Sequence, residues 1–135
     1  MQRKSLLNSL RITAILILVI VGLNALAAGY SFIADPSGKG LNLTTAYLKE
    51  TAPFKNYLVP GVVLFVLNGV LPITIALLAL ARQNRYSLLI LLQGLILVAW
   101  IFFQLMMVTA FHPLHAVIGC AGLLLMIIGR ILEKI

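Results

Sequence analysis

The sequence predicts an all-α fold, a four-transmembrane-helix bundle in which residues 1–135 form a single integral membrane domain. Three observations predict it. Composition is the first: 62% of the 135 residues are hydrophobic and 10% are charged, whereas a soluble domain carries roughly 45–50% apolar and about 25% charged residues. A water-facing surface needs charge that this chain lacks. The second is a set of four apolar stretches at residues 12–33, 58–81, 86–108 and 111–132. The third is the placement of the basic residues, which gather at the ends of those stretches.

A spanning helix needs about 20 predominantly apolar residues, because each advances about 1.5 Å across about 30 Å of hydrocarbon. The first three stretches reach that length without any Asp, Glu, Lys or Arg. The fourth reaches it when Arg130, near its end, extends its long side chain to the headgroups. The first stretch also imitates a secretory signal peptide: Arg3, Lys4 and Arg11, an apolar core, then Ala25-Leu26-Ala27. Its apolar run continues through Ile33, past the usual length, so it is read as a retained span.

Charge sets the orientation. Arg3, Lys4, Arg11, Arg82, Arg85, Arg130 and Lys134 fall on one side of the membrane, and only Lys39, Lys49 and Lys55 fall on the other. The positive-inside rule then places both termini in the cytoplasm. The net charge of +7 is thereby a topology signal, and nucleic acid is not expected as a partner. The bilayer is, in a chain read as belonging to a bacterial cytoplasmic (inner) membrane.

The connection from Ala34 to Tyr57 is the long extracytoplasmic loop. Asp35-Pro36-Ser37-Gly38 reads as a tight turn, with Pro supplying its fixed φ at the second position. Thr44 or Thr45 is placed to cap a short helix running to Lys49 or Glu50, which Pro53 ends. Tyr30, Phe54 and Tyr57 sit at headgroup depth as aromatic anchors. Cys120 lies alone in an apolar run, so no internal disulfide forms, and it is read as a small buried packing residue.

Polar side chains inside spans are where function is sought. The acids Asp35, Glu50 and Glu133 all lie outside the spans, which argues against ion-coupled transport through an intramembrane carboxylate. Asn24, Asn68 and Gln93 are the intramembrane amides. The two Asn are read as interhelical hydrogen bonds or, alternatively, as a polar pocket at mid-depth. Pro72 is placed to disturb the second span one turn beyond Asn68. Gln93, Trp100 and Gln104 share a stripe of the third helix that faces the bundle.

His112 and His115, three residues apart around Pro113, start the fourth span. They are read as capping its outer end, with two alternatives: a small-molecule or headgroup site, or a metal or haem site. Tyr30, Gln104, His112 and His115 together make the candidate ligand pocket of the outer leaflet. No catalytic residue is assigned, and no cofactor is expected beyond haem, copper or quinone as alternatives.

A first span with Gly22 and Gly29, the turn at Asp35-Pro36-Ser37-Gly38, a capped loop and three further spans resemble in layout the DoxX-like group of small bacterial four-helix membrane proteins. That resemblance implies an association with quinone- or thiol-linked redox complexes, and this chain has no paired cysteines for a thiol role. Two functional classes follow. The first is a non-catalytic accessory or lipid/quinone-binding subunit with a membrane-protein partner or a second copy of itself. The second is a small redox or metal/haem-binding enzyme using His112 and His115.

Overall fold

The computed structural model describes residues 2–37, 58–107 and 113–134, with side-chain surroundings for 4–37, 58–106 and 116–134. Four helices run through them: α1 (Gln2–Ala34), α2 (Leu58–Leu80), α3 (Tyr86–Met107) and α4 (Pro113–Lys134). Each is long and apolar enough to cross a membrane. Helix α1 packs on α2 and α4, and α3 packs on α2 and α4, which makes α1/α3 and α2/α4 the diagonals of a four-helix bundle. The loop residues 38–57, with the expected short helix and the anchors Phe54 and Tyr57, lie outside the described residues.

Helix α1 starts ten residues earlier than the apolar stretch. Residues 2–11 contain neither Gly nor Pro, so nothing in them breaks a helix. Leu7 and Leu10 give the extension a purpose, since both pack against the core. Arg11 thus sits inside a helix and not at its end. At the other end the chain turns at Pro36 and Ser37, where the Asp35 carboxylate accepts from the Ser37 N–H at 3.2 Å and from its hydroxyl at 2.6 Å; Gly38, the last residue of the expected turn, lies outside the described residues.

The core includes Leu18, Ile75, Ala79, Ile90, Leu97 and Leu125, together with Ala14 and Ala76. Two pairs of helices approach through glycine. A Cβ on Gly94 would stand 2.5 Å from the Gly122 carbonyl oxygen, and one on Gly61 would stand 2.6 Å from the Phe32 Cβ. Any larger residue at these points forces the helix pair apart.

Between α2 and α3 the chain turns within five residues. Arg82 has φ of 56°, donating its N–H to the Ala79 carbonyl, and the Gln83 N–H reaches Leu78. This is a Schellman ending with arginine where glycine is usual. Arg85, at φ 65°, then starts α3 through a Leu89 N–H bond to its carbonyl. Across the same end, the Ser87 hydroxyl donates to the Glu133 carboxylate, tying the start of α3 to the end of α4.

Candidate functional site

The site grows from a defect in α2. Residues Leu58–Phe65 and Leu71–Leu80 are ordinary α-helix, but Val66–Val70 form a π turn. Within it the Leu71 N–H bonds to the Val66 carbonyl, five residues back. The Leu67 carbonyl would next need residue 72, which is proline and has no N–H to give. Sequence reasoning placed the disturbance at Pro72, and the structure resolves it as this π turn just before the proline.

Gln93 of α3 repairs the defect. Its Nε2 donates to the Leu67 carbonyl at 3.1 Å. Gln93 is fully buried, and its Oε1 has no partner among the described residues. Asn68, next in the π turn, is 1% exposed, and neither its Oδ1 nor its Nδ2 has a partner among the described residues. A buried amide without hydrogen bonds is costly, and π turns often mark functional positions.

Asn68 forms part of the wall of a half-open groove of about 430 Å³ between α2 and α3. Pro60, Val63 and Leu67 line it from α2, and Ile96, Ala99, Trp100 and Phe103 from α3. Trp100 is only 8% exposed. Its ring and that of Phe103 lie tilted at 31° with centroids 5.9 Å apart, a favourable aromatic pair. The wall is therefore apolar and aromatic, and the Asn68 carboxamide lies buried behind its inner end.

The sequence-derived residues scatter. Gln93 and Trp100 face the bundle as their stripe predicts, and Gln104 is half-buried. Asn68 turns inward but makes no interhelical bond, whereas Asn24 is exposed on the outer face of α1. Tyr30 is 66% exposed and belongs to the helix diagonal to that of Gln104. His112 and the side chain of His115 lie outside the described residues. Among the described residues no group of three or more His, Cys, Asp or Glu is placed to hold a metal. Cys120 corrects its expectation: it is exposed, on an apolar groove between α3 and α4. Cysteine is small and apolar, and in a bilayer both the core and the lipid are apolar, so its residue type does not tell the inner face from the outer one.

At the end of the bundle where α2 finishes, Arg11 is 8% exposed and donates to the Ala79 carbonyl at 3.1 Å and to Asn8 Oδ1 at 2.8 Å. A cation here offsets the partial negative charge at the C-terminus of α2. Its role is to join α1 to α2.

No protein-family model, curated protein or solved structure matches this chain.

Proposed function

We propose that the chain is a non-catalytic, four-span accessory subunit of a bacterial inner membrane, DoxX-like in layout, that holds a lipid or quinone in the α2–α3 groove. One observation carries this reading: the aromatic groove ends at Asn68, whose buried carboxamide has no partner among the described residues. A site that is concave, apolar and furnished with a few polar groups is what a lipophilic ligand needs. Among the described residues no charged side chain lines the groove, which suits an uncharged ligand.

With both termini inside, α2 starts and α3 ends at the outer surface, so the groove occupies the outer half of the bundle. The basic ends then face the cytoplasmic leaflet, where anionic lipids attract them. Asn24, facing outward from α1, supports docking of a second membrane-embedded chain, of which another copy is the simplest. Tyr30, Gln104, His112 and His115 remain the proposed surroundings of the outer rim.

Purification in lipid nanodiscs, followed by mass spectrometry of the retained lipids, tests the ligand reading. The wild-type chain should enrich one lipid class over the bulk membrane, and Asn68→Leu should lose that enrichment. Retained lipid that mirrors the bulk in both proteins would overturn it.

A further inference from the structure

The depth and chemistry of the groove narrow its ligand further, resting on the ligand reading above. Asn68 is the eleventh of the 23 residues of α2, so about 15 Å of helix precedes it and about 18 Å follows it at about 1.5 Å per residue. That is the middle of a membrane-spanning helix. A phospholipid keeps its charged head at the interface, because charge is expelled from the hydrocarbon centre. Its acyl chain can lie in the groove, yet a hydrocarbon chain offers Asn68 nothing to bond.

The polar atoms at this depth form a specific set. Asn68 offers Nδ2 as donor and Oδ1 as acceptor, and Gln93 adds Oε1 as a second acceptor, all buried and without partners among the described residues. Gln93 belongs to the same stripe of α3 as Ile96 and Trp100 of the groove, at spacings of three and seven residues. A hydroxyl both donates and accepts, and so answers both kinds of atom. A lone carbonyl answers only Nδ2, and a carboxylate brings a charge that no cation among the groove residues neutralises. We propose that the groove binds an uncharged lipid whose hydroxyl-bearing head enters to mid-membrane and bonds the Asn68 carboxamide, its apolar body lying along Trp100 and Phe103.

Trp100 is the only tryptophan of the chain and stands in the wall of the groove, so its fluorescence reports occupancy. The full chain is reconstituted in vesicles doped with 9,10-dibromostearyl alcohol or with phosphatidylcholine carrying the same dibrominated chains. Bromine quenches at short range, and the two probes differ in the head. The alcohol should quench Trp100 saturably at low mole fraction, and Asn68→Leu should weaken the apparent affinity about tenfold. Asn68→Gln, which keeps the donor and acceptor, should recover part of the loss. A melting profile of each variant reports that it is folded. Saturable quenching by the phosphatidylcholine alone would overturn the hydroxyl assignment while leaving a lipid-binding groove. Quenching that stays linear for both probes and identical in Asn68→Leu would overturn the groove as a binding site altogether.

Discussion

The Nε2 of Gln93 on α3 donates to the Leu67 carbonyl of α2 at 3.1 Å, and that carbonyl is the one Pro72 leaves without a backbone N–H. A backbone defect in one helix is thus closed by a side chain of its neighbour. In hydrocarbon no water is at hand for a freed carbonyl, so the proline is tolerated because an adjacent helix supplies the donor.

This arrangement predicts a coupling. Gln93→Leu should destabilise the bundle by about 0.6–1.7 kcal/mol, the range for interhelical hydrogen bonds in membranes. In a Pro72→Ala background the alanine N–H becomes available to α2, and the same Gln93→Leu change should cost close to nothing. Unfolding of the four proteins in mixed micelles closes the double-mutant cycle. Equal costs in the two backgrounds would show that Gln93 acts independently of the proline.

Helix spacing gives a second prediction. A Cβ on Gly94 would collide with backbone of α4, at 2.5 Å from the Gly122 carbonyl oxygen and 2.7 Å from the Met126 nitrogen. Backbone cannot rotate away as a side chain can, so Gly94→Ala should cost about 1–3 kcal/mol, as overpacking does. Gly119 on α4 is the control, since a Cβ there meets nothing within 4 Å. Gly119→Ala should leave stability unchanged or raise it by roughly 0.5–1 kcal/mol through helix propensity. Thermal melts that rank the two changes the other way would refute the packing argument.

Arg11 allows a third. Arg11→Met keeps the apolar stem but removes the bonds to Ala79 and Asn8 and the cation at the end of α2. The loss should reach up to about 2 kcal/mol, the upper range for a partly buried charge at a helix C-terminus. Arg11→Lys keeps the charge without the two-pronged guanidinium and should fall between the two. A melting series of the three proteins measures this. Arg11→Lys as unstable as Arg11→Met would show that guanidinium geometry, and not charge, holds α1 to α2.

These residues also show what the sequence makes legible. The helices were readable because hydrocarbon demands long apolar runs, and that demand leaves a mark on composition. The faces of the helices were harder to read, because in a bilayer both core and lipid are apolar. Asn24 and Asn68 read alike as mid-span amides, yet one points outward and the other inward. Cys120 was misplaced for the same reason. Where residues differ in kind and not only in hydropathy, the reading was sharper: Gln93 and Trp100 at a seven-residue spacing marked the buried side of α3. The π turn left only Pro72 as its sign, and the donor that completes it lies 26 residues away, a partnership that folding alone creates. The contact of Arg11 with the end of α2 was not legible, because nothing local reveals the helix end that it meets.

Asn24 carries the last prediction. It lies well inside the apolar part of α1 with its side chain turned outward, beside the exposed Ile20 and Leu23. A carboxamide facing lipid gains when a second helix brings another donor and acceptor, and two Asn24 side chains related by a twofold axis are complementary to each other. Energy transfer between labelled copies in vesicles, followed as the protein is diluted with lipid, measures the association. Asn24→Leu should weaken it about tenfold, the equivalent of 1–2 kcal/mol per interhelical polar contact in model peptides. Asn68→Leu, which alters the interior, should leave the dilution curve in place. If Asn24→Leu leaves it in place as well, the outer face of α1 meets lipid and self-association, where present, uses another surface.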